Sequence, residues 1–265
     1  MDLTSLENKQ QPYYRSVAHE VLVFEHAYRN QLPLMLKGPT GCGKSRFVEA
    51  MANRMNLPLV QVACHDETSA NDLIGRHLLK GGETVWQDGP VTRAVRDGAI
   101  LYLDEIAEAR EDVVVVLHPL TDHRRELYID RLNETLRAPK SFMLVVSFNP
   151  GYQKGMKEMK PSTRQRFVGL EFSYPEGEIE VEVIQNETGI DKGTAKKLVN
   201  LANKVRTLDE LGLTETASTR LLVDTAYLIK SGLPPRLACD VGIVQPLTDD
   251  SETIASLRDL SALIF

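Results

Sequence analysis

The chain has 265 residues, of which 42% are hydrophobic and 26% are charged, and its formal net charge is −6. These values describe a globular protein with one large domain or two smaller ones, and the negative charge gives no reason to expect nucleic acid or an anionic membrane as a partner. No run of 18 apolar residues occurs and the N-terminus is polar, which favours a cytoplasmic location. The three scattered cysteines (Cys42, Cys64 and Cys239) indicate a reducing compartment without a disulfide framework.

Apolar patterning predicts a parallel sheet with helices between its strands. Helical spacing of Val17, Val21, Phe24 and Tyr28 predicts a first helix. Apolar runs then predict five strands, of which the first two are expected to be buried. These strands cover residues 32–37, 58–64, 99–105, 141–148 and 167–172. Helices are expected over residues 45–55, 91–97 and 112–120; the last could be read as a strand, but its acidic start favours a helix.

The character of the sequence changes after Pro175, where only helical spacing remains. Such spacing occurs over residues 178–187, 194–208, 217–232 and 234–247. We therefore expect an α/β domain over residues 1–175 and a small all-helical domain over residues 176–265. Within the first domain, Gly81-Gly82 indicates a turn, and residues 126–138 alternate imperfectly, as a hairpin does.

The segment Gly38–Ser45 has the spacing of a phosphate-binding loop, Gly-x-x-x-x-Gly-Lys-Ser, between a predicted strand and a predicted helix. Glycines let backbone N–H groups turn toward phosphate oxygens, and the following helix adds its positive N-terminal end. Lys44 would contact the β and γ phosphates of ATP, and Ser45 would bind Mg²⁺. The candidate nucleotide-binding residues are Gly38, Pro39, Thr40, Gly41, Cys42, Gly43, Lys44, Ser45 and Arg46.

Polar side chains at two other strand ends complete a candidate hydrolytic site. Asp104 and Glu105 follow the strand Ala99–Leu103, and ligands gather at the carboxyl ends of strands in α/β sheets. Asp104 would hold Mg²⁺, and Glu105 would polarise the attacking water. Asn149 ends the next strand and would contact the water or the γ phosphate, although Asn-Pro is also a common turn.

Three arginines are further candidates. Arg164 or Arg166, just before the fifth strand, would reach the γ phosphate of a neighbouring subunit, where a planar guanidinium stabilises the transferring phosphoryl group. Arg220 begins a helix of the second domain and would report the nucleotide state to that domain. Each could equally be an ordinary surface residue.

Together these motifs resemble the CbbQ/NorQ group of MoxR-type AAA+ ATPases, over nearly the whole chain from about residue 12. The segments that carry the resemblance are KGPTGCGKSRFVE, ACHDETSANDLIGRHLL, GGETVWQDGPVTRAVRDGAILYLDEI, HPLTDHRREL, NPGYQKGMKEMKPSTRQRF and ASTRLLV. The resemblance implies a P-loop αβα sandwich with a five-stranded parallel sheet and a helical lid. It identifies Asn149 with sensor 1, Arg220 with sensor 2, and Arg166 in preference to Arg164 with the arginine finger.

The same resemblance implies an assembly and two kinds of target. It implies a homo-oligomeric ring, usually hexameric, that acts with a CbbO-like adaptor containing a von Willebrand factor A domain. Residues 75–89 resemble the helix-2 insert, in which Trp86 is either a core residue or a functional one, and residues 122–138 resemble the hairpin before sensor 1. The preferred target is Rubisco, activated by release of inhibitory sugar phosphates; the alternative is maturation of nitric oxide reductase. Association with a carboxysome is left open.

Three other functions fit parts of the pattern. A P-loop small-molecule kinase would share the phosphate-binding loop, but Glu105, Asn149 and an arginine from a neighbour favour water as the acceptor. A nucleic-acid motor would be expected to show basic loops, whereas LLKGGETVWQDG carries little positive charge. A nucleotide switch would bind ATP without hydrolysing it.

Overall fold

The structure is a computed structural model that describes residues 13–150, 159–208, 213 and 215–265. Residues 1–12, and residues 151–158 within the motif that follows Asn149, lie outside the described residues. The chain divides into two compact units. The first contains Ala18–Gly38 and Lys44–Phe172, and the second contains Tyr13–Val17, Pro39–Gly43 and Ser173–Phe265.

The first unit is built on a five-stranded parallel sheet. The strands of the described residues are β1 (Leu34–Lys37), β2 (Leu59–Ala63), β3 (Gly75–Lys80), β4 (Glu83–Asp88), β5 (Ile100–Asp104), β6 (Glu126–Ile129), β7 (Glu134–Arg137), β8 (Met143–Phe148) and β9 (Val168–Glu171). The sheet has the order β2-β5-β8-β1-β9, and all its neighbouring strands are parallel. The predicted α/β fold with five parallel strands is therefore confirmed.

The helices of the described residues fall into two sets. The first unit contains α1 (Glu20–Arg29), α2 (Lys44–Arg54), α3 (Ala70–Ile74), α4 (Pro90–Asp97), α5 (Glu111–Leu117) and α6 (Pro161–Arg164). The second unit contains α7 (Glu178–Thr188), α8 (Lys192–Thr207), α9 (Thr219–Lys230), α10 (Pro235–Cys239), α11 (Gln245–Leu247) and α12 (Ser251–Ile264). The helix predicted over residues 112–120 is confirmed as α5, followed by one 3₁₀ turn, His118–Leu120.

Sheet register places the strand ends of the candidate site side by side. Leu103 of β5 pairs with Val146 of β8, and Ser147 of β8 pairs with Leu36 of β1. Strands β5 and β8 read as continuous apolar runs because their side chains are buried in the core. Residues that follow β5, β8 and β1 consequently emerge at one edge of the sheet.

Two details of the first unit differ from the sequence prediction. The strand expected to be buried over residues 58–64 is β2, which lies at the end of the sheet order and is partly exposed. The first helix begins at Glu20, so Val17 lies outside it and is exposed. The Glu20 carboxylate accepts a hydrogen bond from the Ala18 N–H (2.8 Å), which holds the chain just before the helix.

The predicted turn at Gly81-Gly82 and the predicted hairpin over residues 126–138 are both present. Strands β3 and β4 pair antiparallel within the segment 75–89, and Gly81 and Gly82 form their turn with φ of 61° and 88°. Trp86 packs against the core and donates its indole N–H to Asp88 (2.6 Å), which favours the core interpretation of this residue. Strands β6 and β7 form the second hairpin.

The second unit has its own apolar core, formed by α7, α8, α9 and the segments that follow. The predicted helix over residues 234–247 is present from Pro235 to Leu247, and the π-helical turn Asp240–Val244 joins α10 to α11 within it. Helix α12 was not predicted. Its start is capped by Asp250, which accepts from the Thr253 N–H (2.8 Å). In the part of the chain that the structure describes, no helix is long and apolar enough to cross a membrane.

A buried ion pair lies in this second unit. Glu180 on α7 is 0% exposed and accepts from both terminal nitrogens of Arg206 on α8, at 2.8 and 2.7 Å. Thr219 at the start of α9 donates a third hydrogen bond to it (2.7 Å). Each lone charge would be costly to bury, but the planar guanidinium and the hydroxyl satisfy the carboxylate together. The pair therefore ties three helices to one another.

Replacing Glu180 with Ala is expected to lower the free energy of unfolding by about 3–5 kcal/mol, because Arg206 would be left buried without its partner. Urea unfolding measures this change. Glu178→Ala is the matched control, since Glu178 lies on the same helix and pairs with Lys192 and Lys196 but is 65% exposed. Solvent screens that pair, so the control should unfold like the parent protein. Equal effects of the two changes would contradict this account of the buried pair.

Candidate functional site

Asp104, at the end of β5, is the centre of a cluster of hydroxyl groups. Its Oδ2 accepts from Ser45 Oγ (3.1 Å), and its Oδ1 accepts from the hydroxyls of Tyr102 (2.8 Å) and Ser147. Three donors on one carboxyl group are the pattern that suits an ionised carboxylate. Ser45 comes from the first turn of α2, so the phosphate-loop helix and the end of β5 meet at this point.

Sequence reasoning missed Tyr102 and Ser147. Tyr102 is fully buried, and burial raises the pKa of its hydroxyl above the ordinary value, so it stays protonated and donates. Tyr102 and Asp104 are two residues apart on one strand and therefore share a face of the sheet. That spacing is the signal that could have identified the tyrosine.

Glu105 has an unusual backbone conformation. Its φ of 55° places a residue with a side chain in the left-handed region, which costs on the order of 1–3 kcal/mol and is concentrated at functional sites. The Glu105 N–H donates to Ser147 Oγ (3.1 Å), which holds the turn. The carboxylate is exposed and receives a hydrogen bond from Asn149 Nδ2 (3.4 Å).

Lys44 is a buried lysine, 7% exposed, at the start of α2. Its ammonium group donates to Gly38 O and to Asn149 Oδ1, both at 2.7 Å. Asn149 thus receives a hydrogen bond from Lys44 with its oxygen and donates one to Glu105 with its nitrogen. Five residues predicted from the sequence come together in the first unit: Lys44, Ser45, Asp104, Glu105 and Asn149.

Two carboxylates, those of Asp104 and Glu105, and the buried Cys64 thiol lie close to one another. Cys64 follows β2, and its N–H donates to Asp104 O (2.9 Å). Burial, followed by the charges of Asp104 and Glu105, raises the pKa of the Cys64 thiol to about 12. Such a site favours a cation, and Ser45 Oγ and Asp104 Oδ2 are oxygen ligands of the kind that Mg²⁺ takes beside phosphates. The residues present therefore fit a magnesium ion.

The glycines of the loop are required by its geometry. A Cβ at Gly38 would lie 2.9 Å from Phe172 Cβ and closer still to the backbone oxygen of that residue. Gly41 and Gly43 have φ of 69° and 101°, which residues with side chains rarely adopt. The loop can therefore take the inward-turned conformation that backbone recognition of phosphate needs.

In the second unit, the loop segment Pro39–Gly43 lies against the start of α9. A Cβ at Gly41 would be 2.7 Å from Ser218 Oγ and 3.3 Å from Arg220 Cβ. Arg220 is exposed in the first turn of α9, and among the described residues its guanidinium has no hydrogen bond or ion pair. The structure thus places Arg220 beside the phosphate loop.

Three further arginines were candidates for the site: Arg46, Arg164 and Arg166. Arg166 Nη1 lies 3.8 Å from Asp122 Oδ2, and its Nε is buried with no hydrogen-bond partner among the described residues. No ion pair involves Arg164 in the same part of the chain. Arg46 forms an ion pair with Glu49 (3.3 Å) on the surface of α2. Neither Arg164 nor Arg166 is hydrogen-bonded to the residues around Asp104 within the described structure.

Comparison with known proteins identifies the class of this site. Residues 33–167 match the AAA domain of the dynein-related subfamily, and residues 180–264 match the CbbQ/NirQ/NorQ C-terminal domain. The fold is shared with a mutant of RuvB from Thermotoga maritima (TM-score 0.55, 14% identity), over 91% of this chain and 68% of that one.

Three full-length relatives are similar to this chain. NorQ from Paracoccus denitrificans is 58% identical over 96% of this chain and 94% of its own length. The denitrification regulatory protein NirQ from Pseudomonas aeruginosa is 55% identical over 94% and 96%, and CbbQ from Hydrogenophilus thermoluteolus is 51% identical over 97% and 96%. The protein is an ATP hydrolase with an AAA domain, and it belongs to the CbbQ/NirQ/NorQ family.

Proposed function

We propose that this chain is the ATP-driven motor of a protein-remodelling machine, with hydrolysis at the cluster around Asp104. The observation that carries the proposal is the position of Asn149, whose amide joins Lys44 (2.7 Å) to Glu105 (3.4 Å). One side chain thereby links the lysine that would contact the γ phosphate to the carboxylate that would activate water. This arrangement suits transfer of a phosphoryl group to water.

Each residue of the cluster has a part in this reaction. Lys44 would leave its present acceptors, Gly38 O and Asn149 Oδ1, for phosphate oxygens. Ser45 and Asp104 would hold Mg²⁺, which neutralises part of the phosphate charge when bound. Glu105, exposed beside Asn149, would take a proton from the attacking water. Tyr102 and Ser147 would keep the Asp104 carboxylate oriented through their hydrogen bonds.

The second unit contributes a further cation to the proposal. Arg220 lies beside Gly41 in the phosphate loop. A guanidinium in this position would bind a phosphate oxygen and so couple the nucleotide to α9. The sensor-2 role of Arg220 is part of the proposal.

A motor of this kind needs a ring and an adaptor. We propose a homo-oligomeric ring in which Arg166 reaches the nucleotide of the neighbouring subunit, together with an adaptor that contains a von Willebrand factor A domain. The family supports the ring, since AAA ATPases are typically oligomeric. The adaptor is proposed from the resemblance to the CbbQ/NorQ group.

Two targets follow from the relatives, and we place a denitrification enzyme first. NorQ and NirQ share 58% and 55% of their aligned residues with this chain, whereas CbbQ shares 51%. Nitric oxide reductase is therefore the first candidate target. Rubisco, the target expected from the sequence, is the second candidate. CbbQ aligns over 97% of the chain but has the lower identity.

Reconstitution with each target tests the proposal. The chain, its adaptor and ATP are expected to raise the activity and metal content of newly made nitric oxide reductase, and a Lys44→Ala variant should not. In a parallel reaction, the same mixture is added to Rubisco inhibited by ribulose bisphosphate, and carboxylation is measured. If carboxylation by Rubisco recovers and nitric oxide reductase is unchanged, Rubisco is the target.

Failure of the motor proposal itself has a separate readout. Phosphate release from ATP is measured with the adaptor present and both targets in turn. If an assembled complex hydrolyses ATP but changes neither target, the remodelling target lies elsewhere. If phosphate passes to a metabolite instead of water, the protein is a kinase and the proposal is wrong.

A further inference from the structure

A tyrosine that is not part of the phosphate loop forms a hydrogen bond to the backbone of the loop. Tyr174 donates its hydroxyl hydrogen to the carbonyl oxygen of Thr40 (3.0 Å), within the second unit. Burial raises the pKa of Tyr174 to about 12, so the hydroxyl remains a donor at neutral pH. This hydrogen bond reaches the middle of the loop, one residue before Gly41.

Holding that carbonyl also orients an N–H group. The C=O of Thr40 and the N–H of Gly41 belong to the same planar trans peptide group and point in opposite directions. When Tyr174 draws the carbonyl toward itself, the Gly41 N–H is turned to the other side. Backbone N–H groups of such loops are the groups that bind phosphate oxygens.

Tyr174 is itself fixed by the buried ion pair. The guanidinium carbon of Arg206 lies 4.3 Å from the centre of the Tyr174 ring, a cation–π contact. The two terminal nitrogens of Arg206 bind Glu180, as described above. The guanidinium of Arg206 is rigid and planar, so binding Glu180 also fixes the face that it presents to the Tyr174 ring. The ring therefore has little freedom to turn away.

The same ion pair holds the start of α9 at two points. Arg206 Nε donates to Ala217 O (2.8 Å), and Glu180 accepts from Thr219 Oγ1 (2.7 Å). Ala217 and Thr219 flank Ser218, which caps α9 and packs against Gly41. Tyr174, Arg206 and Glu180 therefore contact both the loop and the helix that carries Arg220.

We propose that Tyr174 is a positioning residue for phosphate binding, held in place by Arg206 and Glu180, which also fix the start of α9 beside the loop. The proposal rests on the proposed function, because it concerns the same nucleotide site. It assigns a functional role to three residues outside the sequence motifs. Tyr174 would act on the ligand through the loop, by its hydrogen bond to the Thr40 carbonyl.

Tyr174→Phe tests this proposal, since it removes only the hydroxyl and keeps the ring against Arg206. Loss of one neutral hydrogen bond predicts about a fivefold weaker affinity for ADP and ATP. Affinity for adenosine, which has no phosphate, should not change. Competition against a fluorescent nucleotide measures all three affinities.

Tyr227→Phe is the matched control, because Tyr227 lies in the same unit and also donates its hydroxyl to a backbone carbonyl, that of Glu187 (2.6 Å). It should bind ADP as the parent protein does. If Tyr174→Phe binds ADP equally well, or loses ADP and adenosine affinity alike, Tyr174 is only structural. If the parent protein binds no nucleotide, the proposed function fails and this inference with it.

Discussion

Replacing Glu105 with Gln is expected to lower the rate of ATP hydrolysis by about 10²–10⁴-fold, the range for loss of a general base, and to leave nucleotide affinity nearly unchanged. Gln has the size of Glu and keeps an oxygen that accepts from Asn149 Nδ2, which lies 3.4 Å from the Glu105 carboxylate. It cannot take a proton from water. Phosphate release at saturating ATP and titration with a fluorescent nucleotide measure the two quantities separately.

Glu111→Gln is the control for this change. Glu111 is six positions along the chain and forms an exposed ion pair with Lys160 (3.0 Å), so its replacement should leave hydrolysis unaltered. Hydrolysis by Glu105→Gln at the parent rate would show that another group activates the water. Loss of binding together with hydrolysis would instead assign Glu105 a structural role, consistent with its left-handed backbone.

The site could be predicted from the sequence where its residues follow local rules. Lys44 and Ser45 belong to a contiguous loop motif, and Asp104, Glu105 and Asn149 each follow an apolar strand. Because parallel strands end at the same edge of a sheet, these residues had to lie close together. The sheet confirms that neighbourhood through the pairing of β5 with β8.

The supporting residues could not be predicted because their roles depend on distant contacts. Tyr102 and Ser147 look like ordinary members of buried strands until the sheet brings them to Asp104. Tyr174, Arg206 and Glu180 are separated by up to 32 positions, and no local pattern links a tyrosine to the Thr40 carbonyl, 134 positions away. Such contacts appear only when the second unit is packed.

The errors in secondary structure have local causes. Strand β2 was expected to be buried because Leu59, Val60 and Val62 are apolar, but apolar composition does not reveal a position at the end of a sheet. The helix over residues 234–247 contains a π-helical turn that its apolar spacing did not predict, and Gly242 lies within that turn. A Cβ there would collide with Thr225 on α9, so glycine lets the π-helical turn approach that helix.

Arg166→Ala is expected to suppress hydrolysis by about 10³-fold, the size of the effect when an arginine stabilises a transferring phosphoryl group. Nucleotide affinity should change little. Within the described part of the chain, the Nε of Arg166 is buried with no hydrogen-bond partner, and the contact of Arg166 with Asp122 is long, at 3.8 Å. Asp122 is already bound by Arg124 at 2.6 Å, so Arg166 can exchange it for a phosphate.

Mixing two inactive variants tests whether Arg166 acts on the neighbouring subunit. In a ring made from Arg166→Ala and Glu105→Gln subunits, some interfaces join an intact Glu105 to an intact Arg166 of the next subunit. Hydrolysis should therefore reappear on mixing, and it should not if both residues serve the same subunit. Arg164→Ala is the comparison, because it lies two positions away on α6. If Arg164→Ala stops hydrolysis and Arg166→Ala does not, Arg164 is the residue that reaches the neighbouring nucleotide.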